Sequence, residues 1–250
     1  MDTREFDKMF EVEETNWWYR GRRRLVENQI RAHHELHGPL KILDIASATG
    51  MSFRFLTAYG QTWGVDISPE TIRLCGKRGV KRLVQGDALH LPFRSSSFDA
   101  ILALDALEHF ADDRQALREI ARVARPDALI LITVPAFMFL WSPHDEAFHH
   151  FRRYTAGELR RKLAETGFHI EQLSYYSMTL LPPVWAFRKL RARRRAHLDH
   201  ATSDFFVKLP APLELLLGGI MRAEIELMKL VSLPFGVSLF CRMHRRELPA

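Results

Sequence analysis

The sequence predicts an α/β protein: a doubly wound, mostly parallel sheet of seven strands, with a helical insertion before the last strand. Three observations predict it. From Leu40 to about Arg245, short β-branched apolar runs alternate with longer amphipathic stretches, the pattern of βαβ units. Most of the strand candidates are too apolar to be half exposed, as strands covered on both faces must be. The chain of 250 residues, 47% hydrophobic and 26% charged, suffices for one large core with added pieces. That make-up excludes a disordered chain, a collagen-like repeat and a disulfide-stapled mini-protein.

The elements follow in order. The first 37 residues read as a helical segment with a dense aromatic and basic stretch, Asn16-Trp17-Trp18-Tyr19-Arg20-Gly21-Arg22-Arg23-Arg24. Strands are expected at Lys41 to Ala46, Gln61 to Ile67, Lys81 to Val84, Phe98 to Leu104 and Leu129 to Val134. Helices are expected between and after them, at about Gly50 to Tyr59, Pro69 to Arg78, Asp112 to Ala124 and Ala156 to Thr166. In the third helix Asp112 or Asp113 is the cap, Leu117, Ile120, Ala121 and Ala124 form the inner stripe, and the run RPDA supplies the stop. After Gly167 comes the strand FHIEQLSYY, and a last strand is expected near Val237 to Met243. The stretch between these two strands holds Pro182, Pro183, Pro210, Pro212 and Pro234 and the basic run RKLRARRR (Arg188 to Arg195). It also has a helix-period series of Leu213, Leu216, Leu217, Ile220, Leu227, Met228 and Val231. The expected organisation is an N-terminal segment 1–37, a core made of 38–177 and 236–250, and a helical insertion 178–235.

Charge and cysteine content narrow the setting. Lys and Arg number 36 against 30 for Asp and Glu, a formal +6 compatible with nucleic acid, an anionic membrane or an anionic substrate. Cys75 and Cys241 fall in no CxxC or His/Cys metal pattern, which fits a reducing cytoplasm. The charged start MDTREFDKMFEVEE has no apolar signal core, and the longest uncharged stretches fall short of the roughly 20 apolar residues that span a bilayer.

In an open parallel sheet, ligands bind outside the carboxyl ends of the strands. Four strand ends carry suitable residues. The first ends in Asp44-Ile45-Ala46-Ser47-Ala48-Thr49-Gly50, a turn of small residues opening a helix. The second ends in Gly64-Val65-Asp66-Ile67, where a carboxylate suits both hydroxyls of a ribose, and the third in Gly86-Asp87-Ala88. The fourth ends in Leu104-Asp105 and runs on to Glu108-His109.

Together the ordered runs LDIASATG, GVDISPE, GDALHLPFRSSSFDAILALDALEHF and REIARVARPDALILITVP resemble the class I S-adenosylmethionine-dependent methyltransferases, over about Leu40 to Tyr175 and the final strand. The resemblance implies a Rossmann-like sheet and S-adenosyl-L-methionine as cofactor. It places Asp44 and the turn of Ala46, Ser47, Ala48 and Gly50 beside the methionine part, Asp66 at the ribose, Ile67 on the adenine and Asp87 with Ala88 at the adenine amino group. Leu104 and His109 would line the floor near the sulfonium. The family usually has glycine where Ala46 and Ala48 stand, and alanine there costs on the order of 1 kcal/mol if the backbone needs a positive φ. A dinucleotide dehydrogenase is disfavoured because the first turn lacks GxGxxG.

The segment after the fifth strand is the expected acceptor wall, with Phe137, Trp141, His144, Arg152, Arg153 and Tyr154 as candidate substrate contacts. Methyl transfer needs alignment above all, and where it needs a base, His149 or His150 is the first candidate and His109 another. A zinc site from His144, His149 and His150 matches no common ligand spacing, so no resident metal is expected. By the same resemblance Trp18 and Tyr19 close the cofactor pocket as part of an N-terminal lid, and Arg22 or Arg23 meets a carboxylate. For the insertion, a substrate lid or homodimer contact ranks first, a peripheral membrane contact second and nucleic acid third. The expected acceptor is a small molecule, amphipathic or lipid-like. A catalytically silent binding relative and an RNA methyltransferase stay open as alternatives.

Overall fold

The computed structural model describes residues 3–194 and 209–246. Two N-terminal helices, α1 (Thr3–Val12) and α2 (Trp17–His37), precede the sheet. Then β1 (Leu40–Ile45), α3 (Phe53–Leu56), β2 (Gly60–Asp66), α4 (Pro69–Lys77), β3 (Leu83–Gln85) and β4 (Phe98–Leu104) alternate as expected. They are followed by α5 (Asp113–Val123), β5 (Ala124–Pro135), α6 (Pro143–Ala147), α7 (Ala156–Glu165) and β6 (Phe168–Tyr176). Between β6 and the last strand β7 (Ser238–Arg245) lie α8 (Leu181–Arg194) and α9 (Ala211–Leu227). Arg195, the end of the basic run, lies outside the described residues, as do 1–2, 196–208 and 247–250.

The seven strands form one sheet in the order β3-β2-β1-β4-β5-β7-β6. β1 pairs in parallel with both β2 and β4, so the chain changes direction across the sheet at β1. That reversal opens a crevice at the carboxyl edge. β7 is antiparallel to both its neighbours, which makes the sheet mostly, not wholly, parallel. Ile42, Leu43, Ile101, Leu102, Ile130 and Leu131 are completely buried, as strands covered on both faces require.

Two expectations shift. The first helix shrinks to α3 because its leading turn is held by shorter bonds, Arg54 N–H to Met51 O and Phe55 N–H to Ser52 O. The run RPDA does not merely stop α5; it is already part of β5. Asp127 adopts φ 61°, and the pairing with β4 skips from Phe98–Ala124 to Ala100–Leu129, so the strand absorbs the proline turn as a bulge.

The pieces outside the sheet meet each other. α2 packs on α9 where Gly21 faces Met221, and a Cβ there would stand 2.1 Å from the Met221 sulfur. Pro182 and Pro183 occupy the first turn of α8, where a missing N–H breaks no helical bond. Among the described residues, no helix is long and apolar enough to cross a membrane.

Candidate functional site

Parallel register sets the carboxyl ends of β1, β2 and β3 side by side, Asp44 opposite Gly64 and Asp66 opposite Gln85. Asp44, Asp66 and Asp87 thereby share one edge. Asp44 is buried, its carboxylate accepting a bond from the Ser52 hydroxyl, and burial pushes its carboxyl up to about 7. Asp66 accepts the Ala48 and Ser68 N–H groups, each at 2.9 Å, and so ties the turn after β1 to the start of α4. Burial raises its carboxyl as well, against those bonds. Beside it the Ile67 side chain is 67% exposed, an apolar surface that no protein group covers. Asp87 is half-buried and accepts the Leu89 N–H at 2.8 Å, while Ala88 is buried.

The turn after β1 is left-handed three times: Ala46 at φ 56°, Ala48 at 48° and Gly50 at 73°. Only the glycine adopts this freely. Ser47 is buried between them, donating to the Asp44 carbonyl at 2.8 Å. Positive φ recurs past the ends of other strands, at Asp105 after β4, Phe137 after β5 and Ser177 after β6. Strained conformations of this kind gather where a site demands them.

The N-terminal helices lie against this edge. Glu13 is buried and holds Arg78 at 2.8 Å together with the Thr49 hydroxyl, so the α1–α2 link is bolted to the turn after β1. Arg22 donates to the Asp105 carboxylate of the protein itself, at the end of β4. Tyr19 lies under the Arg22 guanidinium at 5.3 Å, and Trp18 stacks on Tyr176 of β6 with ring centroids 5.6 Å apart. Leu104 is half-buried, opposite Thr133, and the Thr133 hydroxyl donates to Asp105 at 3.0 Å.

The loop after β5 forms a second group of side chains. Phe137 stacks against Phe139 and Tyr175, 5.0 Å from each, and Trp141 is half-buried nearby in sequence. His150 stands 4.6 Å from His109 and 5.7 Å from His144, ring centre to ring centre. Burial and then the charge of His150 push His109 down to about 3, and the same two causes push His144 well down, so both are neutral and weak bases near neutrality. His149 does not join them: it is exposed, at φ 55°, closing the turn after α6. Of the three base candidates, the fold brings together His109 and His150.

Two candidate substrate contacts turn inward instead. Arg153 is 4% exposed and grips Asp145 through Nε at 2.8 Å and Nη2 at 2.9 Å, with a third bond to the Ala136 carbonyl. Tyr154 is completely buried and donates to Asp113 at 2.8 Å, where Lys162 also binds. A buried charge must be paired, so neither side chain can leave its partner cheaply. Arg152 is half-buried between the Ala111 carbonyl, at 2.7 Å, and Asp113.

Sequence reasoning named Asp105 and Glu108 at the end of the fourth strand without giving either a role, and it gave none to Glu13 or Arg78. Glu108 is the most telling: completely buried on a short 3₁₀ turn, Leu107–His109, with neither carboxylate oxygen bonded. Burial drives its carboxyl well above the ordinary value. An acidic residue inside the apolar run LDALEHF is the signal that could have found it.

Residues 43–132 match the family model described as a methyltransferase domain. Among curated relatives, the chain is 36% identical over 103 residues to a probable chloroplastic tocopherol O-methyltransferase of Oryza sativa subsp. japonica, covering 38% of this chain and 28% of the relative. It is 34% identical over 125 residues to a demethylmenaquinone methyltransferase of Deinococcus radiodurans, covering 46% of this chain and 50% of the other. The matched region thus spans half or less of these relatives' length. Among solved structures, the YcgJ protein of Bacillus subtilis superposes with a TM-score of 0.57 at 21% identity, over 90% of this chain and 99% of that one. At that identity the likeness shows the fold alone.

Proposed function

We propose that this chain, whose core belongs to the class I S-adenosylmethionine-dependent methyltransferase family, transfers a methyl group to a small, amphipathic acceptor. The observation that carries the reading is the carboxylate edge. Asp44, Asp66 and Asp87 offer only acceptors, beside the uncovered Ile67. Such a set of acceptors repels phosphate and suits a phosphate-free nucleoside with an ammonium group, ribose hydroxyls and an aromatic base. S-adenosylmethionine has those parts, and when bound it supplies an electrophilic methyl on a sulfonium.

The protein's own work is then binding and alignment. Asp44 takes the ammonium, Asp66 the ribose, Asp87 and Ala88 the base edge, while Ile67 packs on its face. Trp18 and Tyr19, anchored by Tyr176 and Arg22, hold the N-terminal lid over the edge and keep water out. Phe137, Trp141 and His144 wall the acceptor side. His150 is the better placed of the candidate proton acceptors, because Asp145 holds its Nδ1 at 3.0 Å. The relatives are named as a probable tocopherol O-methyltransferase and a demethylmenaquinone methyltransferase, which supports an apolar acceptor with one polar handle. The same reading makes α8 a peripheral membrane contact: Trp185, Phe187 and Leu190 are 43%, 51% and 58% exposed, and Arg188 donates to the Leu140 carbonyl on the acceptor loop.

Calorimetric titration with S-adenosylmethionine tests the proposal, and its pH dependence tests the role of Asp44. The Asp44 carboxyl is raised to about 7 by burial, so without ligand it is largely protonated below that pH. An ammonium beside it favours the ionised form, so binding below about pH 7 must release a proton. Affinity therefore rises with pH up to about 7 and then levels, and Asp44→Asn both weakens binding and removes the slope. No measurable binding of the cofactor or its demethylated product at any pH refutes the reading. Binding without turnover on any quinol or phenol acceptor would point to a silent relative, for which Ala46 and Ala48 in their left-handed conformations already speak.

A further inference from the structure

We infer that Glu108, His109 and His150 form a binding site for a divalent transition cation on the acceptor side of the sheet edge. One donor atom from each lies within 4.8 Å of the other two. The residues come from separate loops, joined by the bond from the Phe151 N–H to the Glu108 carbonyl at 2.8 Å. That bond sets the turn after β4 in register with the end of the α6 loop.

The carboxylate is the independent sign of a missing partner. Glu108 is completely buried and both its oxygens lack a hydrogen bond. Buried polar groups are almost always satisfied, so a carboxylate left this way asks for a cation. Protein cations do not fill the role: Arg153 is committed to Asp145 and Ala136, and Arg22 to Asp105.

The imidazoles are prepared for the same task. His150 presents Nδ1 to Asp145 at 3.0 Å, leaving Nε2 as its ligating atom, and Asp145 is fixed in turn by Arg153 and by the Ser142 N–H at 2.8 Å. A carboxylate behind a ligating histidine fixes the tautomer and raises the ring's basicity toward metal. The His109 ring stands edge-on to it at 85°. Two imidazoles and one carboxylate suit zinc(II) or a neighbouring first-row ion and leave a coordination position open. On the methyl-transfer reading, that position takes the oxygen of the acceptor and favours its deprotonated form, the proton leaving to solvent, and the cation then does the work otherwise given to His150, whose Nε2 is a ligand. Cation binding itself does not depend on that reading.

The full chain, stripped by a chelator and dialysed, should be titrated with cobalt(II) and then zinc(II). One cation per chain is expected, with a cobalt ligand-field spectrum that zinc abolishes. Glu108→Gln and His109→Asn should each weaken binding by roughly a hundredfold or more, beyond the 10- to 100-fold effect of losing an outer partner. Glu108→Gln should melt no lower than wild type when both are metal-free, since neither Glu108 oxygen has a hydrogen-bond partner to lose. Absence of saturable binding by the wild type overturns the inference, and this holds whether or not a variant folds. Equal affinity in wild type and both folded variants overturns it too. Cofactor titration of the same stripped protein separates the two ideas: cofactor binding without cation binding sinks only the metal site, and the reverse sinks only the methyl-transfer reading.

Discussion

Ala46 and Ala48 show what a single methyl group can decide. Both sit in the left-handed region, where a Cβ crowds the following carbonyl; the Ala48 N–H bonds to Asp66 and the Ala46 N–H to the Val65 carbonyl. Ala48→Gly should raise the unfolding free energy by about 1 kcal/mol in urea titration, less the few tenths lost to a freer unfolded chain. It should also tighten cofactor binding by removing a methyl from the ligand edge. Some residues were readable at this scale and some were not. Asp44, Asp66 and Asp87 were readable because each follows a recognisable apolar strand, and strand direction alone puts them at the same edge. Arg153 and Tyr154 were misread as acceptor contacts because HHFRRY has no periodicity to tell inward from outward. Their direction is set by Asp145, earlier in the same loop, and by Asp113 on α5, which no local pattern in HHFRRY discloses.

Among elements, the strands were the most legible and the helices outside the sheet the least. A buried strand announces itself through apolar content, whereas α8 has no clear apolar stripe and takes its position from contacts. Its approach is fixed by Glu224 of α9, buried at 6% exposure, which accepts the N–H groups of Met178 and Thr179, both at 2.9 Å, and the Thr179 hydroxyl at 2.7 Å. One carboxylate thus satisfies three donors just ahead of the helix start. Glu224→Gln turns one acceptor oxygen into a donor facing other donors. It should cost about 1–3 kcal/mol with an unchanged urea m-value, since the surface exposed on unfolding is the same. The α2–α9 contact at Gly21 and Met221 is a second such case, because nothing in either segment alone says that the two helices cross.

At the scale of the whole molecule, one stretch of exposed apolar surface joins the acceptor loop to the insertion. Met138 and Phe139 on the acceptor loop are 54% and 60% exposed, and they adjoin α8 with its Trp185, Phe187, Lys189 and Leu190. α8 has no apolar stripe, so the proposed contact is a local patch of aromatic side chains with Lys189 beside it for anionic lipid, not an amphipathic helix face. Flotation with anionic vesicles should therefore carry the wild-type chain upward. Trp185→Glu combined with Phe187→Glu should cut the bound fraction at least tenfold, given roughly 1.5–3 kcal/mol for each large apolar side chain withdrawn from water. Equal flotation of wild type and double variant would remove the membrane contact from the account. By itself the sequence determined the α/β class, the run of strands, the carboxylates at their ends and the resemblance to a methyltransferase core. These rest on local periodicity and on the fixed direction of parallel strands, which need no knowledge of distant contacts. Only the tertiary structure decided that Glu108 meets His109 and His150, that Arg22 takes Asp105, and that Arg153 and Tyr154 serve the interior. Most of those pairings join segments remote in the chain, and a buried charge finds its partner only when folding has removed the water that would otherwise have served.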